Sequence, residues 1–184
     1  MISDEATYRQ YLDGDESAAE TLVARYGDAL TLFLNGYLKD MHESEDLMIE
    51  AFACIFAKER PIGADGSFRA YLYRTARNLA LRHCRKHRIA FLHFEELPFE
   101  PQSEALADTP LCRSERNRQL YGALERLRAE YREALYLVYF ENMRYRDAAA
   151  VLGKSEAQLT KLVYRGKQSL KTLLEQEGFL YADD

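Results

Sequence analysis

Seven basic side chains and no acid lie between Gly66 and Phe94: Arg69, Arg74, Arg77, Arg82, Arg85, Lys86 and Arg88. On a chain whose formal net charge is -5, cations at this density are suited to holding phosphates, since each neutralised phosphate releases counterions. The sign then inverts, and the charged residues from Glu95 to Cys112 are Glu95, Glu96, Glu100, Glu104 and Asp108. Inside the basic run His83 and His87 stand four apart, a spacing that puts two imidazoles on one helix face, with Cys84 beside them. No third or fourth ligand is evident and the surrounding charge opposes a cation, so neither a metal nor a cofactor is expected. Glu125, Glu130, Glu133 and Glu141 have no His or Lys partner for acid–base work, and no glycine-rich phosphate loop or Gly-x-Ser-x-Gly elbow occurs. The pattern therefore predicts binding without catalytic residues, and no enzyme.

A second group of donors lies near the other end. Tyr145–Leu152 reads as a short helix, Gly153 as a turn and Ser155 as the N-cap of a further helix, with Gln158 three residues on completing a capping box. In that helix Leu159, Val163, Gly166, Leu170 and Leu173 recur on one side. Gln158, Thr160, Lys161, Tyr164, Arg165, Lys167 and Gln168 are left outside, offering donors, acceptors and positive charge to base edges and phosphates in a major groove. The reading is a DNA-docking helix-turn-helix, Tyr145 to Leu174. An ordinary helical hairpin with a solvated face shares the pattern.

The elements that must carry these groups are helical throughout. Short helices are expected at Glu5–Leu12, Glu16–Tyr26 and Asp28–Leu38, separated by Gly14 and Gly27, and a fourth at Glu43–Lys58 whose early acids suit a helix N-terminus. After a loop, Arg60 to Gly66, a helix without Gly or Pro spans about Ser67 to Ile89, with Phe68, Tyr71, Leu72, Thr75, Ala76 and Leu79 inward. Pro98, Pro101 and Pro110 among the acids mark residues 94–112 as a linker. Beyond it a helix from Ala129 to Phe140 is expected, with Tyr131, Leu135, Val138 and Tyr139 as core candidates, and Asn142 at a helix end. The fold class is all-α: two small helical domains, 1–93 and 113–184, joined by an acidic, proline-containing linker.

At 184 residues, 47% hydrophobic and 30% charged, the chain has enough apolar surface for two such cores and too much to be disordered. The beginning, MISDEATYRQ, lacks an export signal and no apolar run is long enough to span a bilayer, so a cytoplasmic protein without membrane insertion is expected. Cys54, Cys84 and Cys112 are odd in number, far apart and without a C-x-x-C pair, and read as reduced thiols.

Several segments together resemble the extracytoplasmic-function (ECF) class of bacterial sigma-70 factors, the specificity subunits of RNA polymerase. Ser44-Glu-Asp-Leu-Met-Ile-Glu-Ala-Phe52 looks like that family's polymerase-docking helix, and Gly66–Asn78 running into Arg85-Lys-His-Arg88 looks like its promoter-melting helix. Ala123–Leu127, Tyr131–Leu135 and Tyr139–Ala149 are similar to its promoter-binding C-terminal domain. The chain departs from the family's habit at Ile49, Tyr71, Arg82, Arg144 and Leu162.

The resemblance implies a function in promoter-specific transcription initiation, with core RNA polymerase, promoter DNA and an optional anti-sigma protein as partners. Glu45, Asp46, Leu47 and Glu50 would dock on the polymerase clamp; a solvated acidic face is the plain alternative. Arg69, Arg74, Arg77, Arg85, Lys86 and Arg88 would hold phosphates, and Asn78 would read a base of the minus-ten element, the loop Arg60 to Gly66 receiving a flipped base. Tyr71 and Tyr73 would serve as stacking platforms, although an inward Tyr71 belongs equally to a core. Gln158, Thr160, Lys161, Tyr164 and Arg165 would read the minus-thirty-five element. The acidic linker would thread the polymerase's basic cleft, or be a simple tether. Outside the resemblance stand a lone helix-turn-helix regulator and an adaptor that binds only protein; neither needs both a clamp-like helix and a melting helix.

Overall fold

The computed structural model describes residues 2–63, 66–93 and 115–176, with side chains described except over 88–93, 115–119 and at 121. Among the described residues there is no strand. The chain divides into two compact units, Met1–Gln102 and Ser103–Asp184. The expected linker, 94–112, lies outside the described residues.

The first unit contains α1 (Asp4–Leu12), α2 (Glu16–Leu38), α3 (Met41–Phe56) and α4 (Phe68–His93). Its starts are written locally. Ser3, Asp15 and Asp40 lie in extended conformations and their side chains accept from Ala6 N, Ser17 N and Glu43 N, satisfying donors that a helix start leaves open. Gly14, at φ 102°, separates α1 from α2. The break expected at Gly27 does not occur, and α2 is a single helix of 23 residues. A helical glycine costs about 1 kcal/mol, whereas Tyr26, Leu30 and Leu34 around it are buried, each contributing about 1.5–3 kcal/mol. Burial overrides propensity here.

The core forms where α2 packs on α1, α3 and α4. Leu22, Leu30 and Leu34 of α2, Ala51, Phe52 and Ile55 of α3 and Phe68, Leu72, Tyr73, Ala76 and Ala80 of α4 are all buried there. Aromatic contacts tie the layers, with Tyr8 and Phe68 centroids 5.1 Å apart and Phe33 and Tyr73 also 5.1 Å apart. The start of α4 is held from a distance: Phe68 N donates to the Glu5 carboxylate at 3.1 Å, across 63 residues of sequence. The Ser67 hydroxyl accepts from Ala70 N and completes that cap.

The second unit contains α5 (Glu115–Arg126), α6 (Ala129–Leu135), a π-helical turn (Tyr136–Phe140), α7 (Tyr145–Leu152) and α8 (Glu156–Gln176). α8 packs on α5, α6 and α7. Gly166 allows the approach to α6, since a Cβ there would meet Leu135 and Tyr131 side-chain atoms at 3.3 Å. The helix expected to run regularly to Phe140 instead widens after Leu135, and the chain exits through Asn142 at φ 49°. The widening buries Leu137 and leaves Tyr139 45% exposed, so Tyr139 is not a core residue as its spacing suggests.

Candidate nucleic-acid and polymerase interfaces

α4 is one helix with two chemistries. Leu72, Ala76, Leu79 and Ala80 face the core, while Arg74, Asn78 and Arg85 are exposed. Steps of four and seven put those three on one line along the opposite side. Arg77 is half-buried, Lys86 is exposed on another side, and Arg88 lies in α4 with its side chain outside the described set. Arg69 departs from the expected phosphate face: it is half-buried, its guanidinium 5.8 Å from the ring centroids of both Tyr26 and Tyr73. Its charge rests on the aromatic packing near the base of α4, so it is a core-edge cation more than a phosphate clamp. Tyr73 is fully buried and cannot stack on a base; Tyr71 is half-buried. Of the loop expected to receive a flipped base, 60–63 and 66 are described.

On α3 the exposed residues are His42, Glu45, Asp46, Ile49, Glu50 and Ala53, a single face at three- and four-residue steps. Leu47 does not belong to it. It is 7% exposed and lies in the core, so the docking role expected of Leu47 is corrected to a packing role. Ile49, 60% exposed between the acids, is absent from the expected docking set, although its position one turn from Glu45 and Asp46 is the signal that could have found it. Glu50 is shared between helices, its carboxylate 3.3 Å from Arg82 of α4. That exposed pair is worth little on its own but joins the two faces.

The turn between α7 and α8 follows the expected chemistry. Gly153 adopts the left-handed conformation at φ 64°. Ser155 N donates to the Gln158 side-chain oxygen at 2.9 Å and Gln158 N donates to the Ser155 hydroxyl at 3.2 Å, the reciprocal pair of a capping box. Gln158 thus has its carbonyl oxygen engaged by Ser155 N, while both of its amide donors are left for a base. Arg144 precedes α7 without a side-chain cap. Beyond the cap Thr160, Lys161, Tyr164, Arg165 and Gln168 are exposed on one face, opposite buried Leu159, Val163 and Gly166. Tyr164 is 65% exposed, while the Thr160 hydroxyl donates back to Glu156 O at 2.9 Å. Lys167 lies to the side, its ammonium 4.6 Å from the Tyr139 ring centroid. A hydrogen bond with Tyr139 holds the Lys167 ammonium above its ordinary pKa, and burial raises that of the nearby Tyr145.

Two faces suited to a protein and a nucleic acid on the first unit, and a capped helix-turn-helix on the second, match two parts of one family. Residues 22–89 match Sigma-70 region 2 and residues 117–170 match Sigma-70, region 4. The chain belongs to the ECF class of sigma-70 factors. The sigma factor is similar to the ECF RNA polymerase sigma factor SigM of Bacillus subtilis, 29% identical over 141 residues, covering 77% of this chain and 85% of that one. Its fold is shared with CnrH, solved in complex with the cytosolic domain of CnrY, at TM-score 0.70 and 23% identity over 95% of this chain and 99% of that chain. It is shared also with RpoE from Bartonella quintana, solved with the anti-sigma factor NepR, at TM-score 0.66 and 22% identity over 85% and 96%. As a sigma factor the protein directs promoter-specific transcription initiation. Among the described residues no helix is long and apolar enough to cross a membrane.

Proposed function

We propose that the sigma factor acts as a two-point promoter grip with no chemistry of its own, working in the cytoplasm with core RNA polymerase and DNA. Unit 1 docks through Glu45, Asp46, Ile49 and Glu50 of α3 and opens the minus-ten element with Arg74, Asn78 and Arg85 of α4. Unit 2 binds the minus-thirty-five element with Lys161, Tyr164 and Arg165, Gln158 contributing its amide donors. The observation that carries this reading is the separation of faces in unit 1. An acidic face and a cationic line stand on adjacent helices of one core, each exposed toward a surface of opposite charge and bridged at one point by Glu50 and Arg82. Binding to an anti-sigma protein belongs to the same proposal, supported by the complexes in which the CnrH and RpoE folds were solved.

The test is capture of bacterial core RNA polymerase by the intact chain, followed by run-off transcription from a promoter library. Capture by the intact chain and its marked loss in Asp46→Lys are expected, because a like charge against a basic surface costs several kcal/mol. If the intact chain takes up no polymerase, the proposal is wrong.

A further inference from the structure

The core-facing stripe of α4 does not end where its apolar residues do. Leu72, Ala76 and Ala80 continue at three- and four-residue steps into His83 and His87. There the facing element is the first turn of α3, whose Asp40 cap, accepting from Glu43 N at 3.0 Å, fixes Glu43. The result is a third donor group that His83 and His87 lack in sequence. His83 Nε2 is 3.1 Å from Glu43 Oε2, and the two imidazoles stack with centroids 4.1 Å apart. One ligand atom from each of Glu43, His83 and His87 lies within 4.8 Å of the others.

We infer that Glu43, His83 and His87 form a binding site for a divalent transition-metal cation of the zinc class. Two imidazoles and one carboxylate are the donor set of open zinc sites, with water in the fourth position. Bonds of about 2.0–2.1 Å in a tetrahedral shell put ligand atoms about 3.3 Å apart. The Glu43–His83 pair already meets that spacing, and His87, exposed on the helix, closes the remainder by side-chain rotation. A carboxylate–imidazole pair alone explains His83 and Glu43 but assigns nothing to the second imidazole lying against the first. Among the described side chains the neighbouring cations are exposed to solvent or engaged, Arg82 by Glu50 and Arg85 by Leu81 O, and Asp46, one turn from Glu43, adds negative charge on that side. Cys84 is not a member, since its thiol is directed to Tyr37 O of α2 at 3.9 Å. A cation there clips the start of α3 to the distal half of α4, joining the acidic and the cationic face rigidly.

The site is tested on the full chain after chelation and dialysis, titrated with ZnCl2 by calorimetry and with CoCl2 by visible absorbance. One zinc per chain is expected, with a cobalt spectrum free of thiolate charge-transfer bands, and zinc should raise the melting temperature. His87→Ala, at an exposed position, and Glu43→Gln should each weaken binding at least about tenfold, whereas His42→Ala and Cys84→Ser should leave it unchanged. Absence of saturable binding at micromolar zinc, binding equal in His87→Ala, or binding lost in Cys84→Ser would each overturn the inference. Because the readout is metal binding by the isolated chain, it stands or falls separately from polymerase capture.

Discussion

At the scale of single residues the exposed polar groups divide into those with a task inside the fold and those without one. Gln158 and Thr160 both make hydrogen bonds within α8's first turns. Lys161 and Arg165 stand exposed beyond them. Replacing Lys161 and Arg165 by Ala should therefore weaken binding to a minus-thirty-five duplex and lower the salt slope by about 0.9 for each phosphate no longer neutralised, measured by anisotropy across a salt series. An unchanged slope would mean that α8 does not face DNA. Asn78→Ala, on the exposed line of α4, should reduce promoter opening in a permanganate footprint while polymerase capture persists; loss of both would make Asn78 structural. The cationic run of α4 is legible from charge alone, whereas the acidic face of α3 is expected only through the family resemblance. Arg69, Leu47 and Tyr73 are not, because spacing gives a helix face but not which neighbour covers it: α2 brings Tyr26 to Arg69, and the core closes over Leu47 and Tyr73.

At the scale of elements the capped turn before α8 is the most legible feature and the interruptions are the least. Caps are local chemistry, so Ser155 and Gln158 declare α8 in advance; Ser155→Ala should destabilise unit 2 by about 0.5–2 kcal/mol in urea unfolding, with Tyr164 remaining exposed. Continuity across Gly27 and the widening at Tyr136–Phe140 depend on what packs alongside, which no local rule encodes. Gly166 belongs with them: Gly166→Val drives two methyl groups into Leu135 and Tyr131 and should cost about 1–3 kcal/mol. The first unit makes a prediction about pH. Burial raises the pKa of Tyr8 and Tyr26 above the ordinary 10.0, with the Asp4 hydrogen bond adding to the shift at Tyr26. A raised folded-state value means stabilisation that is complete below pH 10 and is lost as pH climbs beyond it. Urea midpoints should therefore hold level up to about pH 9 and fall by about pH 11, and Tyr26→Phe should reduce that fall.

At the scale of the whole molecule a net charge of -5 opposes the task that its cationic surfaces perform. Long-range repulsion from DNA is set by the sum of charges and short-range grip by their placement. The free chain should hence bind a promoter duplex weakly at physiological salt and far more tightly once core polymerase is added, which anisotropy with and without polymerase would measure. Equal affinity in both cases would favour a regulator that acts alone.

The bond from Phe68 N to the Glu5 carboxylate also sets a schedule for synthesis. At about 5–20 residues per second, roughly 3–13 seconds separate the making of the two partners. A nine-residue helix such as α1 is far below the length at which helices persist alone in water. Through that interval the nascent α1 can meet α2, where Arg25 and Tyr26 engage Asp4, but it has no partner in α4, and the Glu5 carboxylate is without its Phe68 donor. Unit 1 can thus begin to pack through α1, α2 and α3, yet it closes only when the cationic helix arrives, so that the segment proposed to open DNA is also the one that completes its own scaffold.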